Sequence, residues 1–238
     1  MRLDAYLSAR HGVTRTKAKQ MIERGMVRVN GETVLRPACD VGDDDEVIVE
    51  KFPEYASFGG EKLAKALFDF SFSVKGLTCA DIGASNGGFT SCLLQNGAAK
   101  VYAIDVGECA FDNSLKNDPR VIVKDRTNAR YLTKDTLGEK CDFACIDVSF
   151  ISLELILPAA AEIIKDGGHI IALIKPQFEV GKKALSKRGI VTSEKERYKA
   201  ADKVRAAAEK CGLEELGFTV APIRANKNIE FLILFCKK

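Results

Sequence analysis

Hydrophobic positions in the first fifty residues follow two different spacings. Apolar residues at helical spacing predict two short helices, with Thr14 as the N-cap of the second helix and Gly25 just after its end. Short alternating runs on either side of Asn30-Gly31 predict a β-hairpin, and Val47-Ile48-Val49 predicts another strand. Residues 1–50 therefore predict a small α+β domain.

A second pattern begins after residues 51–60, which contain proline and a glycine pair and are interpreted as a linker. Over residues 61–238, compact apolar runs alternate with segments at helical spacing, which is typical of βα units. We predict an α/β fold, a Rossmann-like domain with a mostly parallel seven-stranded sheet that ends in an antiparallel pair. The runs are Leu77 to Ile82, Val101 to Ile104, Val121 to Asp125, Phe143 to Phe150, Ile170 to Ile174, Phe218 to Ile223 and Ile229 to Cys236.

A glycine-bracketed turn follows the first strand of this domain and precedes an amphipathic segment. Such strand–turn–helix units bind nucleotides over the helix N-terminus. Gly83 and Gly88 hold the first and third places of the dinucleotide fingerprint, but Ser85 replaces the glycine that admits a pyrophosphate. S-adenosylmethionine has no pyrophosphate, and the turn favours it. The predicted contacts are Gly83, Ala84, Ser85, Asn86, Gly87, Gly88 and Phe89.

Carboxylates at later strand ends extend this predicted cofactor site. Asp105 follows Gly83 by about 20 residues, where a ribose diol requires an acceptor. Asp125 ends the third strand and is placed to reach an adenine amino group, and Asn128 follows it closely. Asp147 ends the fourth strand on the same rim. At this stage an ordinary tight turn of an α/β protein, or a dehydrogenase, remains an alternative.

Four charged residues are expected to meet at that rim. Asp147, Lys175 and Glu230 lie at strand ends, and Lys62 lies on the helix that precedes the first strand. Two ammonium and two carboxyl groups in one apolar crevice are expected to shift each other's pKa values. A lysine brought toward neutrality can act as a general base on a ribose hydroxyl, while the other groups position that hydroxyl.

Composition narrows the class of protein. A hydrophobic content of 46% and a charged content of 29% are typical of soluble globular chains. No apolar run approaches the roughly 18 residues that cross a membrane, and the N-terminus lacks a signal-peptide pattern. The eight cysteines do not have the paired spacing of a zinc site, so we expect reduced, mostly buried thiols, no metal and a cytoplasmic protein.

The distribution of charge is more informative than its net value of +3. Residues 1–28 carry seven Lys/Arg against two acids, and residues 29–50 carry one arginine against seven acids. Residues 179–199 carry seven basic side chains against three acids and predict a mobile loop that leads into a helix, Ser193 to Cys211. A solvated helix face is the alternative to RNA binding. The candidate RNA contacts are Arg2, Arg15, Lys17, Lys19, Arg24, Arg28, Lys182, Lys183, Lys187 and Arg188.

Residues 1–50 resemble the S4-like RNA-binding module over nearly all its length. The motifs that match are Leu3-Asp4-x-Tyr-Leu, then Thr14-Arg15-x-Lys-Ala-x-x-Met-Ile, then Gly25-x-Val-x-Val-Asn-Gly. This resemblance implies a basic helix pair that contacts RNA phosphates rather than base edges.

The rest of the chain resembles RNA ribose 2′-O-methyltransferases with the FtsJ/RrmJ-like catalytic domain, a class I methyltransferase fold. Lys62, Asp147, Lys175 and Glu230 match their Lys-Asp-Lys-Glu tetrad. The strings that begin at Gly83, Asp147 and Lys175 are similar to the hemolysin-A (TlyA) branch, which also has an S4-like module. This resemblance implies methylation of cytidine riboses in ribosomal RNA, with S-adenosylmethionine as cofactor. In that family Lys175 would accept the proton, Asp147 would position the hydroxyl, and Lys62 and Glu230 would support them.

The chain departs from that family in three places. Phe58 and Glu61 replace an arginine and a hydrophobic residue, and Arg224-Ala225-Asn226-Lys227 replaces a glycine-containing turn. Two other functions stay open, a non-catalytic rRNA-binding assembly factor and a membrane-active hemolysin. The four-residue constellation argues against the first, and the lack of a lipid-seeking helix argues against the second.

Overall fold

A computed structural model describes residues 1–23, 25–42, 44–49, 55–223 and 227–238, with Lys17 and Gln20 described by their backbone alone. The chain forms two compact units, residues 1–54 and residues 55–238. Arg24, part of the predicted linker and most of the altered turn before Glu230 lie outside the described residues. Within the described part of the chain, no helix has both the length and the apolar character that a bilayer requires.

The N-terminal unit has the two helices and the hairpin that the sequence predicts. Its elements are α1 (Leu3–His11), α2 (Arg15–Glu23), β1 (Val27–Val29), β2 (Glu32–Thr33) and β3 (Val47–Val49). The strands form an antiparallel sheet in the order β2-β1-β3. Asn30 and Gly31 have φ values of 52° and 84°, which a two-residue hairpin turn of this type requires. One apolar cluster, which includes Leu3, Leu7 and Ile22, holds these elements together.

The larger unit is a seven-stranded sheet covered by helices. Its strands are β4 (Thr78–Ile82), β5 (Lys100–Ile104), β6 (Val121–Lys124), β7 (Cys141–Ile146), β8 (Ile164–Ile174), β9 (Leu213–Val220) and β10 (Phe231–Lys237). Its helices are α3 (Gly59–Asp69), α4 (Gly88–Gln95), α5 (Asn113–Lys116), α6 (Lys134–Leu137), α7 (Leu157–Ile163), α8 (Pro176–Glu179) and α9 (Glu194–Lys210). The strand order is β6-β5-β4-β7-β8-β10-β9.

The predicted mixture of parallel and antiparallel pairing is confirmed. Strands β4 to β8 are parallel neighbours, whereas β10 is antiparallel to both β8 and β9. Alternate residues of each strand point to opposite faces, so Ile82 belongs to the apolar cluster of α7 and α9, and Cys79 to that of α3 and α4. The carboxyl ends of the parallel strands meet at one rim, as expected for a doubly wound sheet.

Several predicted boundaries were wrong for reasons of local geometry. Helix α7 ends at Ile163, and β8 begins at Ile164 rather than at Ile170, where the predicted strand begins. Gly167, with a φ of 75°, takes up the irregularity between the pairs Cys141–Ile164 and Phe143–His169. The fourth strand ends at Ile146 instead of Phe150, and α3 begins at Gly59 inside the predicted linker.

Candidate active site

The glycine turn between β4 and α4 packs against its neighbours more closely than a side chain would allow. Gly83 has a φ of 91°, and a Cβ there would lie 2.5 Å from the Asp147 carbonyl oxygen. A Cβ at Gly88 would lie 2.2 Å from the Ser57 hydroxyl. Glycine at both positions therefore brings the turn directly against the end of β7 and the segment before α3.

A cavity of about 180 Å³, named here the turn cavity, lies beside this turn. Of the predicted cofactor residues, those that line it are Gly83, Ala84, Ser85, Asn86, Gly88, Phe89 and Asp147. Gly87 instead packs toward the interior, because a Cβ there would lie 2.5 Å from Leu115. The first residues of α4 carry the partial positive charge of a helix N-terminus into this cavity, which suits a carboxylate.

Asp105 closes the turn from the neighbouring strand. Its Oδ2 accepts a hydrogen bond from the Ser85 backbone N–H at 2.9 Å, and its Oδ1 accepts one from the Gly107 N–H at 2.8 Å. Each carboxylate oxygen has further lone pairs that a hydroxyl can use. Val106, the next residue, is 72% exposed and offers an apolar surface beside it. Sequence reasoning did not single out Val106.

Asp125 and Asn128 follow β6 and are engaged with the backbone. Asp125 Oδ1 accepts a hydrogen bond from the Cys109 N–H at 2.7 Å, which lowers the pKa of Asp125. Asn128 Oδ1 accepts one from the Arg130 N–H at 3.1 Å and so caps the 3₁₀ helix Ala129–Tyr131. These bonds fix the loop that the sequence assigns to the adenine, and the contact with adenine stays a prediction.

The four charged residues of the predicted tetrad form two ion pairs. Lys175 Nζ lies 2.6 Å from Asp147 Oδ1, and Lys62 Nζ lies 2.6 Å from Glu230 Oε2. All four side chains are at most 20% exposed. The sheet register explains this placement, since Ile174 pairs with Phe231 and therefore brings Lys175 and Glu230 to adjacent strand ends. Lys62, Asp147 and Lys175 line the turn cavity.

Ser149 is a further polar group at this position that sequence reasoning missed. Its hydroxyl accepts a hydrogen bond from Lys175 Nζ at 2.8 Å. Asp147 Oδ1 is close to the same ammonium, but it receives no well-directed hydrogen bond from the described residues although it is buried. A carboxylate has two oxygens and several lone pairs, so Asp147 can accept a further hydrogen bond from a hydroxyl beside it.

A second cavity, named here the aromatic cavity, has a volume of about 570 Å³ and shares Phe58 and Lys62 with the turn cavity. Phe150 and Phe178 also line it, with their ring centroids 5.1 Å apart. Phe150 is 90% exposed and has a φ of 63°. A left-handed backbone at a bulky residue is strained by about 1–3 kcal/mol, and such strain is concentrated at functional sites.

A buried carboxylate holds the two loops that carry these rings. Glu179 accepts hydrogen bonds from the Ser152 hydroxyl at 2.5 Å and from the Leu153 N–H at 2.8 Å. Lys203 Nζ lies 3.7 Å from it. Because Glu179 belongs to α8 and Ser152 follows Phe150, these contacts join the loop after β7 to the helix after β8.

A second buried carboxyl group lies in β4, before the turn. Asp81 is fully buried, and the Thr90 hydroxyl donates a hydrogen bond to its Oδ2 at 2.6 Å. Burial raises the pKa of Asp81 to about 7, although the bond from Thr90 opposes that shift. The hydrogen bond joins β4 to α4 across the base of the turn.

The basic residues of the N-terminal unit are partly paired with acids. Arg2 and Arg15 lie 2.9 Å and 3.3 Å from the buried Asp4 carboxylate, and the hydrogen bond from Arg2 holds the pKa of Asp4 at about 2. Lys19 lies 3.7 Å from Glu23. The Arg2, Arg15 and Lys19 side chains remain more than half exposed.

The basic residues of the larger unit lie on the segment between α8 and α9. Lys182 and Lys183 begin a short 3₁₀ helix, Lys182–Ala184, and Lys187 and Arg188 follow it. All four are exposed, and Arg188 also lines the aromatic cavity. Their binding to RNA stays a prediction.

Comparison with known proteins agrees with this geometry. The FtsJ-like methyltransferase model matches residues 55–238, and the S4 domain model matches residues 1–47. The chain belongs to the FtsJ-like methyltransferase family. This membership confirms the predicted family and fold class.

Two relatives and one solved structure of this family span almost the whole chain. The 16S/23S rRNA (cytidine-2'-O)-methyltransferase TlyA of Mycobacterium tuberculosis (strain CDC 1551 / Oshkosh) is 39% identical over 237 residues, which cover 98% of this chain and 88% of that protein. Hemolysin A of Brachyspira hyodysenteriae is 40% identical over 238 residues, with 99% of each chain covered. The solved structure "Putative hemolysin from Streptococcus thermophilus" has a TM-score of 0.75 at 40% identity and covers 100% of this chain and 88% of that one.

Proposed function

We propose that this member of the family transfers a methyl group from S-adenosylmethionine to the 2′-hydroxyl of a cytidine in ribosomal RNA. The relative from M. tuberculosis is named for that activity. The observation that carries the proposal here is the pair of lysine–carboxylate contacts, Lys175–Asp147 and Lys62–Glu230, with three of the four residues in the turn cavity. A ribose hydroxyl that enters this cavity would lie near the Asp147 carboxylate and the Lys175 side chain.

The hydrogen-bonding groups at and beside the turn cavity suit S-adenosylmethionine. Gly83 and Gly88 let the turn pack closely against Asp147 and Ser57, and the N-terminus of α4 beside it is a site for the methionine carboxylate. Asp105 would hold the ribose hydroxyls, with Asp125 and Asn128 near the adenine. When bound, this cofactor supplies an electrophilic methyl group.

The proposed role of Lys175 is to take the proton that the ribose hydroxyl loses. Formation of the oxygen–carbon bond releases one proton, and Lys175 Nζ, which lies 2.6 Å from Asp147 Oδ1, is placed to accept that proton when it is deprotonated. Asp147 would accept a hydrogen bond from the hydroxyl and so hold it in one orientation. Lys62 and Glu230 would keep the second side of the cavity in place.

We assign RNA binding to the S4-like unit, 1–50, and to the basic segment after α8. Residues 51–60 would link the two domains, with the methyltransferase domain over 61–238. All eight cysteines are free thiols and five of them are buried, which fits the reducing cytoplasm where ribosomes are assembled.

The decisive experiment is to incubate the protein with radiolabelled methyl donor and intact small or large ribosomal subunits, and then to map the label. We expect label on the ribose of a cytidine. Lys175→Ala should reduce the rate by at least about 100-fold, because a general base contributes that much or more. Binding of the cofactor, measured by calorimetry, should change little. Lys175→Arg keeps the positive charge without a usable base and should be equally inactive.

The control is Lys210→Ala, at the exposed C-terminal end of α9, which should keep the wild-type rate. Turnover in either Lys175 variant would remove that residue as the base. Stable binding of wild-type protein to subunits without any label would favour the assembly-factor alternative. Release of dye from liposomes by the pure protein would favour a membrane-active hemolysin.

Neutralising the basic helix should weaken RNA binding in a salt-dependent way. We expect Arg15→Gln and Lys19→Gln each to reduce the slope of log affinity against log salt by about 1, since each change removes one phosphate contact. Affinity for ribosomal subunits at several salt concentrations measures this slope. Lys210→Gln is the matched control. If all variants have the same slope as the wild type, the basic face of α2 is a solvated surface that does not contact RNA.

A further inference from the structure

The aromatic cavity has the size and walls of a site for one nucleobase. Its volume of about 570 Å³ is within the range of small-molecule sites. Phe58, Phe150 and Phe178 contribute aromatic walls, and exposed aromatic rings stack on the flat faces of unpaired bases. Lys62 lines both cavities, so a base bound here would leave its ribose next to the turn cavity.

Two polar side chains that line this cavity already form hydrogen bonds or an ion pair with other residues. Asn228 accepts a hydrogen bond from the Val191 N–H at 2.8 Å and donates one to the Gly189 carbonyl oxygen at 3.0 Å. Glu230 is paired with Lys62 at 2.6 Å. Asn228 and Glu230 therefore stabilise the wall of the cavity through contacts within the protein.

The side chain of Gln177, in contrast, has an oxygen without a hydrogen-bond partner among the described residues. Gln177 is the second residue of α8, its side chain is half-buried, and it lines the same cavity. Its Oε1 is buried and has no hydrogen-bond partner among the residues that the structure describes. Buried polar atoms are nearly always paired, because leaving one unpaired destabilises the fold. Nothing in the local fold explains why α8 carries a glutamine here.

We infer that Gln177 recognises the base of the nucleotide whose ribose is methylated, an inference that rests on the proposed function. A carboxamide presents one acceptor and one donor in a single plane. The Watson–Crick edge of an unpaired cytosine presents an amino donor beside a ring-nitrogen acceptor, so the amide can make two in-plane hydrogen bonds while Phe150 contacts the face of the base.

The test compares a normal target nucleotide with one that lacks its base. Large subunits, or small ones if the label maps there, are reconstituted with a synthetic RNA segment that carries either a cytidine or an abasic ribose at the methylated position. The kcat/KM of wild type and of Gln177→Leu is measured on both. We expect Gln177→Leu to lose about 10- to 100-fold on cytidine, the size of one two-bond base contact. On the abasic ribose the two proteins should agree within about twofold.

Two controls separate base recognition from damage to the fold. Gln95→Leu makes the same change at an exposed position of α4 and should leave both rates unchanged. Calorimetry should give Gln177→Leu the cofactor affinity of the wild type. Full activity of Gln177→Leu on cytidine, or equal losses on the cytidine and abasic substrates, would overturn the inference and leave the proposed function intact. If wild-type protein labels neither subunit, the proposed function fails, and this inference fails with it.

Discussion

The turn cavity and the aromatic cavity share Phe58 and Lys62, yet they differ in how some of the groups around them are paired. Beside the turn, both Asp105 oxygens accept backbone hydrogen bonds, and Asp81 is bonded to Thr90. In the aromatic cavity, Gln177 Oε1 is unpaired among the described residues. The Phe150 ring stands 90% exposed on a left-handed backbone.

This difference indicates that one half of the site is built in advance and that the other half is completed by its ligand. A cofactor is the same molecule in every cycle, so a rigid, satisfied cradle suits it. The target nucleotide must first leave its stacked position in the folded RNA. Unpaired or strained groups of the protein gain contacts only when that nucleotide binds. The three predictions below test each half separately.

The largest effect is expected at Asp81, below the turn. Its pKa is raised to about 7 by burial, so the folded protein keeps a proton that the unfolded chain loses above about pH 4. Stability should therefore fall as pH rises from about 4 to 7, by up to about 4 kcal/mol relative to Asp81→Asn, which cannot ionise. Urea unfolding of both proteins across this pH range measures the difference. If the free energies of unfolding of wild type and Asp81→Asn change with pH in parallel, Asp81 is not protonated in the folded protein at these pH values.

The parts of the site that sequence analysis found are those encoded in contiguous residues. The glycine turn is a seven-residue string, and the strand-end carboxylates follow apolar runs, so Asp105, Asp147 and Lys175 could be placed on one rim from spacing alone. Their pairing into Lys175–Asp147 and Lys62–Glu230 needed the registers of β7 with β8 and of β8 with β10, which no local pattern specifies.

The aromatic cavity was missed because it has no local pattern. Phe150 looked like the last residue of a buried strand, and only its backbone, with a φ of 63°, turns the ring outward. Phe58 was noticed as a departure from the family, but its place beside Phe150 and Phe178 depends on three separate segments of the chain. The same limit applies to Gln177, since an unpaired atom is visible only when every neighbour is known.

An intermediate effect is expected at Glu179, which holds the aromatic half. Glu179→Ala removes the acceptor for Ser152 and Leu153, and should lower the free energy of unfolding by about 2–3 kcal/mol. The RNA KM should rise because the Phe150 loop is released, whereas the cofactor dissociation constant should change less than twofold. Glu179→Gln retains an acceptor oxygen and should recover more than half of both losses. A matching loss of cofactor affinity would show that the two halves are not independent.

The smallest change in stability, with a clear loss of activity, is expected at Phe150. Asparagine tolerates the left-handed backbone better than phenylalanine, and this gain offsets the lost contact with Phe178. The free energy of unfolding of Phe150→Asn should thus stay within about 1 kcal/mol of the wild type. Its kcat/KM on ribosomal subunits should fall about 10- to 100-fold, since stacking on a base contributes about 1–3 kcal/mol.

Phe68 provides the matched control for that variant, because it is a phenylalanine of α3 that is 84% exposed and does not line the aromatic cavity. Phe68→Ala should keep the wild-type activity. A fall in stability at Phe150 equal to the fall in activity would mean that the ring supports the fold, and the contrast between the two cavities would then be lost. If instead stability is kept and activity falls, the strain at Phe150 is maintained for the RNA, because a residue that the fold needed would not leave its ring in solvent.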